Sequence, residues 1–148
     1  MPIPPLDEHG FLLVGTHDCT LAEIKARFGT FQRSDRRLRL FARLEAFLAE
    51  AAASRLVVGI VVDGSFVTAK PEPNDIDLIV VVAASHDLRA DLGPVAYNVV
   101  SKKRVQKRFG FDIVAVREQS LEFEDAVGFF EQVRGVASQR KGLLRIRL

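Results

Sequence analysis

Three stretches of the chain, LVVGIVV (56–62), DLIVVVAA (77–84) and FDIVAV (111–116), are almost unbroken runs of Val, Ile and other apolar residues. A strand with one wet face alternates apolar and polar residues, whereas a strand covered on both faces does not. The runs therefore predict central strands packed between layers of helices. A fourth run, LLRIRL (143–148), alternates, with Leu144, Ile146 and Leu148 opposed to Arg145 and Arg147, and predicts an edge strand or one with a wet face. Helical spacing fills the gaps. TLAE (20–23) sets a hydroxyl and a glutamate at the separation of a capping box, opening a short helix that ends near Gly29. Leu38, Phe41, Leu44, Phe47, Leu48 and Ala51 recur every three or four residues, with Arg37, Arg39, Arg43 and Glu50 among the residues between and Ser34 placed to cap. Further helical patterns cover about 95–108 and 121–134, the second opened by Ser120 and carrying Val127, Phe130 and Val133. The expected fold is α/β (α+β), a small mixed sheet with flanking helices. Phe41, Phe47, Phe123, Phe129 and Phe130 are assigned to its core.

A chain of 148 residues, 48% hydrophobic, is long enough to bury one core, so a single domain over 20–148 is expected. Residues 1–19 hold three of the six prolines and little periodicity; they read as an extended arm, lying on the domain or mobile, with order beginning at Thr20. A net charge of +2 excludes bulk attraction to nucleic acid or a membrane surface, so function must reside in a local site. Cys19 is the only cysteine, which excludes an internal disulfide and a thiolate metal site. The start lacks a signal-peptide pattern and no apolar run approaches the roughly 20 residues of a membrane span; a cytoplasmic protein with no membrane partner is expected. His9, His17 and His86 are scattered and read as non-ligands.

The stretch DGSFVTAKPEPNDIDLIVVV (63–82) carries the chemistry. On a strand Asp75 and Asp77 point the same way, and two adjacent carboxylates at the mouth of a sheet repel each other. A hard divalent cation resolves that repulsion; Mg²⁺ is usually held by one or two carboxylates and completed by phosphate and water. Gly64 and Ser65 end the preceding strand and open a short helix, where backbone N–H groups and a hydroxyl suit a phosphate. Asp112, second residue of the third run, is placed to converge on the same sheet edge. Asp63 reads either as a turn residue or as a fourth site carboxylate.

The pattern of Gly64-Ser65, nine residues, Asp75-Ile76-Asp77, then Asp112 on the next strand resembles the nucleotidyltransferase superfamily typified by DNA polymerase beta, and within it the small bacterial members that include antitoxins. The likeness to the catalytic core runs from about Arg36 to Val116. It implies a nucleotidyltransferase-like sheet in which Gly64 and Ser65 bind a nucleoside triphosphate, Asp75, Asp77 and Asp112 hold two Mg²⁺, and Asp112 assists deprotonation of an acceptor hydroxyl. A nucleoside monophosphate, AMP from ATP, would pass to a protein, RNA or small molecule. Many small members carry an arginine three residues after the serine; here that position is Thr68 and the nearest base is Lys70, the candidate phosphate contact. The alternative is a non-catalytic, antitoxin-like binding module with a vestigial nucleotide site. The run SKKRVQKR (101–108) gathers Lys102, Lys103, Arg104, Lys107 and Arg108, readable as a solvated helix face or as a patch receiving RNA phosphates or a partner toxin.

Overall fold

The computed structural model describes residues 3–87, 93–133 and 135–148. In chain order these form β1 (Thr16–Asp18), α1 (Leu21–Phe28), α2 (Arg36–Ser54), β2 (Val57–Asp63), a 3₁₀ turn (Ser65–Val67), β3 (Asp77–Val82), α3 (Pro94–Val100), α4 (Lys102–Phe109), β4 (Asp112–Arg117), α5 (Leu121–Phe130), β5 (Gln132–Val133), β6 (Val136–Arg140) and β7 (Leu143–Arg147). The main sheet is mixed, ordered β1-β7-β2-β3-β4, and β5 and β6 form a separate antiparallel pair. The fold is α+β.

The unbroken apolar runs have the cause inferred for them. In β2 and β3, Ile60, Val62, Leu78 and Val80 turn to a large core with Phe41, Leu44 and Phe47 of α2. Val61, Ile79 and Val81 turn to the opposite face, where Phe123, Val127 and Phe130 of α5 cover them. Three phenylalanines fix the start of β4: Phe47 meets the Phe109 and Phe111 rings edge-on, at centroid distances of 5.4 and 6.3 Å. Phe111 is fully buried immediately before Asp112, so it sets where that carboxylate emerges.

Local signals give a mixed outcome. The capping box at Thr20 is complete, with Glu23 N–H donating to Thr20 Oγ1 at 3.1 Å and Thr20 N–H donating to Glu23 Oε1 at 3.0 Å. Asp35 rather than Ser34 occupies the N-cap of α2. The apolar stripe of α2 is rotated from the expected one: Leu38 is exposed, whereas Leu40 and Arg37 are buried. The 95–108 pattern is two helices, because Ser101 leaves helical geometry and caps α4 by accepting from Arg104 N–H. The 121–134 pattern ends at Phe130, and Val133 lies in β5; position 134 is outside the described residues. Phe129 is exposed, so it leaves the assigned core.

β7, read as an edge strand or one with a wet face, is the latter: it lies between β1 and β2 with Leu144 and Ile146 buried and Arg147 exposed, and Arg145 and Arg147 reach Asp18 on neighbouring β1. β4, read as central, is the edge strand, paired only with β3 among the described residues. Order also begins before Thr20. β1 pairs with β7, Ile3 and Leu12 are buried, and Arg27 donates to the Ile3 and Pro4 carbonyls at 3.1 Å each. The arm lies on the domain; residues 1 and 2 are outside the described part. No helix among the described residues is long and apolar enough to cross a membrane.

Arg37 ties α2 to the segment after β2. It is 1% exposed, and its guanidinium donates to the carbonyls of Phe28 (3.2 Å), Phe66 (2.6 Å), Thr68 (2.8 Å) and Lys70 (2.5 Å) while lying between the Phe28 and Phe66 rings. Burial pushes its pKa below the usual arginine value, yet an arginine stays charged under any ordinary condition. Carbonyl dipoles and ring faces therefore compensate a desolvated cation. Arg37→Leu leaves those buried carbonyls without donors and is expected to lower unfolding free energy by about 3 kcal/mol or more, measured by urea denaturation. Arg37→Lys, whose single ammonium cannot span four acceptors, recovers only part of the loss.

Candidate functional site

The register of the sheet collects carboxylates in one row. Asp63, last residue of β2, is the antiparallel partner of Asp77, first residue of β3, and Asp77 is the parallel partner of Asp112, first residue of β4. Partners directly across a sheet project to the same face, here the one carrying Ile79 and Val81 toward α5. Three strand ends thus line up three acids. Asp75 lies just before β3 rather than on it, and its charge acts on both Asp77 and Asp63.

The turn between β2 and β3 is latched by Ser65. Its backbone N–H donates to Asp75 Oδ1 at 2.9 Å, and its hydroxyl is hydrogen-bonded to the same oxygen. The Ser65 oxygen also accepts from Asn74 N–H at 2.9 Å and Asp75 N–H at 3.2 Å, and Phe66 N–H donates to the Asp75 carbonyl. Gly64 makes this possible. Its φ of +99° is one that side-chain-bearing residues rarely adopt, and a Cβ there would lie 2.7 Å from the Asp75 carbonyl oxygen. Gly64→Ala is therefore expected to cost about 2–3 kcal/mol in urea unfolding, by combining strain with a backbone clash.

Burial and repulsion together raise Asp77 from the ordinary 3.8 to about 6: desolvation contributes most, then Asp75, Asp63 and Asp112 in turn, with Lys141 opposing. Asp63, 4% exposed, is also pushed up by burial, and Lys141 Nζ, 2.8 Å from Asp63 Oδ1, works against that shift. Asp112 is exposed; in the amide orientation that satisfies both of its ends, Gln106 of α4 donates to Asp112 Oδ1 at 3.2 Å and to the Phe111 carbonyl at 2.9 Å.

The sequence-predicted residues Gly64, Ser65, Asp75, Asp77 and Asp112 therefore meet at one end of the sheet. Lys70 joins them only through its backbone. Its side chain is exposed, and its carbonyl is one of the acceptors of Arg37. The basic run on α4 is partly engaged: Arg108 forms a two-pronged pair with Glu50 at 2.7 and 2.9 Å, and Arg104 bonds Asn98. Lys102, Lys103 and Lys107 are exposed. Sequence reasoning missed Lys141 and Gln106, and left Asp63 undecided. Pairing Asp63 against Asp77 needs the register of β2 on β3, which no local pattern supplies.

The donor set is all hard oxygen, with Lys141 beside Asp63, which is the chemistry of a Mg²⁺ site. Among the described residues no group of three or more His, Cys, Asp or Glu side chains is arranged to hold an ion. Magnesium, however, is commonly held by one or two carboxylates with substrate phosphate and water completing the shell, so the residues fit an ion that arrives with its substrate. Asp77 alone predicts a pH effect. Between pH 3.8 and about 6 the folded chain holds a proton the unfolded chain has lost, so stability falls as pH rises through that window and stays low above it. Asp77→Asn removes the penalty; its melting temperature is expected to exceed that of the wild type near neutral pH, with the difference disappearing at about pH 4.

Fold and site together define a class: an α+β protein on a mixed sheet whose acidic groups gather where strands end beside a glycine-dependent turn. The family follows from the sequence as a whole. Residues 4–147 match the model of a family of unknown function (DUF6932), and the chain belongs to that family. No curated protein and no solved structure matches it.

Proposed function

We propose that the protein is a Mg²⁺-dependent nucleotidyltransferase that moves a nucleoside monophosphate, AMP from ATP, onto a hydroxyl of a protein, RNA or small molecule. The observation that carries this reading is the row Asp63-Asp77-Asp112, with Asp75 latched to Ser65 at its rim. A sheet end that keeps four mutually repelling carboxylates bears a standing electrostatic cost, and perturbed acids of this kind cluster where chemistry is done.

In this reading Asp75 and Asp77 hold Mg²⁺, with Asp112 contributing to a second ion. Bound there, Mg²⁺ neutralises triphosphate charge and eases loss of the acceptor proton. Gly64 lets the phosphate approach the backbone, and Ser65 offers N–H and O–H donors once they exchange Asp75 for phosphate oxygen. Asp112 takes the acceptor hydroxyl proton, an oxygen–phosphorus bond forms at the α-phosphate, and the bond to the β-phosphate breaks with pyrophosphate leaving. Lys141 limits repulsion in the row by neutralising Asp63.

Incubation with ATP labelled in its α-phosphate, Mg²⁺ and a cell lysate is expected to label an acceptor. Asp77→Ala and Asp112→Asn should each reduce labelling by at least about a hundredfold, and EDTA should abolish it. Labelling by Asp77→Ala equal to that of the wild type would sink the assignment, and release of inorganic phosphate in place of pyrophosphate would point to hydrolysis instead.

A second reading rests on the engagement of the Ser65 N–H and hydroxyl by Asp75, which leaves the cradle closed by the protein itself. The chain would then act as an antitoxin-like module that binds a partner protein with its nucleotide site vestigial. Capture of the same partner by the wild type and by Asp77→Ala, with no labelling by either, distinguishes it.

A further inference from the structure

The second helix carries a feature that the acidic site does not use. Arg36, Arg39 and Arg43, with Leu40, line a cavity of about 260 Å³ closed on its far side by Pro73 and Asn74. Positions i, i+3 and i+7 share one face of a helix and here span roughly 10 Å. Like charges at that spacing disfavour the helix unless something outside it gains from them.

Little among the described residues balances these charges. Arg39 pairs with exposed Asp35 at 2.8 Å, and Arg36 donates to neutral acceptors, Asn74 Oδ1 at 2.9 Å and the Glu72 carbonyl at 3.4 Å. Arg43 has no hydrogen bond or ion pair among the described residues. No acidic side chain among the described residues lines the cavity. Organic ligands usually occupy about 300–1,000 Å³ of mainly apolar space, so a small cavity walled by guanidinium groups suits a phosphate group and water.

We propose that Arg36, Arg39 and Arg43 form a subsite for backbone phosphates of a single-stranded nucleic acid. Two observations favour a strand over a free nucleotide. The cavity and its arginines reach toward both segments that deliver the acids: Asn74, in its lining, directly precedes Asp75, and the Arg43 guanidinium lies 3.6 Å from where a Cβ on Gly110 would stand, two residues before Asp112. Positive charge also continues beyond it, because α4 packs on α2 and exposes Lys102, Lys103 and Lys107. A surface of that extent meets several phosphates at once. That the strand's terminal hydroxyl is the acceptor rests on the nucleotidyltransferase reading; the binding does not.

The test is therefore made without nucleotide or Mg²⁺, by fluorescence anisotropy of a labelled single-stranded oligonucleotide over a salt series. The double variant Arg39→Gln/Arg43→Gln is expected to weaken binding about tenfold or more and to reduce the slope of log affinity against log salt by about 1.4, two contacts at roughly 0.7 each. Arg43→Lys should retain most of the affinity, and an unchanged melting temperature of the double variant shows that the fold is intact. Binding unaffected by the double variant overturns the proposal. So does equal affinity for a duplex, preference for polyglutamate as an acidic-protein mimic, or displacement of the strand by inorganic phosphate or ATP at matched phosphate concentration. Strand binding kept by Asp77→Ala while labelling is absent from the wild type would remove the catalytic reading and leave this one standing.

Discussion

A charged group with no counter-ion among the described residues organises the molecule. Arg37 sits within α2 where an apolar side chain would ordinarily close the core, and its neighbours are carbonyl oxygens rather than carboxylates. A salt bridge would fix one point; a planar fork with several donors fixes a curve of backbone. The curve here comprises the end of α1 and the segment from Phe66 to Lys70. Arg36, one residue earlier, extends the grip to Glu72 and Asn74. The nine residues between Ser65 and Asp75, with no strand or α-helix among them, are thus held along most of their length by one helical turn. Rigid placement of Asp75 against Ser65 follows, because both ends of the latch hang from that segment.

The acidic row shows the opposite logic. A guanidinium is buried and compensated at Arg37, whereas at the sheet end the carboxylates range from buried Asp63 through half-buried Asp77 to exposed Asp112 and are set against one another, with Lys141 paired to Asp63. Nothing in the packing of Ile79, Val81 and α5 calls for Asp77; an Asn or Thr would end the strand as well without repulsion. The structural cost of Asp77 is concentrated above about pH 6, where it is ionised. That cost belongs to the folded chain alone, because the unfolded chain neither buries Asp77 nor holds it beside the other acids.

Much of this was legible in the sequence, and the failures have physical causes. The strands were visible because both faces are covered, which leaves no polar residue to interrupt β2 or β3. The acids were visible because glycine, serine and aspartates at fixed spacing are local. Arg37 was hidden by its identity: it lies four residues before Phe41 and seven before Leu44, on the buried stripe, but an arginine at such a position reads as solvated. Its neighbour Leu38 drew the stripe to the wrong side. For β7 the wet face was legible, but not that Arg145 and Arg147 answer Asp18 on another strand, a relation separated by 127 residues. β4 was misjudged, since α4 and α5 keep an edge strand apolar. Neither order of strands nor register is encoded in any single run.

The same long-range pairing explains how the site acquires its cation. Lys141 stands two residues before β7, and its placement depends on Gly142 between them, whose missing side chain leaves room for the Leu13 carbonyl; a Cβ there would collide with that oxygen. Gly142 N–H donates to the Leu12 carbonyl at 2.8 Å, and Lys141 N–H to the Glu131 carbonyl at 2.8 Å. The arm from Leu12 through β1 therefore wedges the start of β7 into position, and β7 in turn pairs with β2, which ends in Asp63. A segment that looks peripheral from its prolines is thereby two hydrogen-bonded steps from the most buried carboxylate. A shift of Leu13 against Gly142 would move Lys141 relative to Asp63 and alter the charge that Asp63 presents to Asp77, which couples the seating of the arm to the electrostatics of the row.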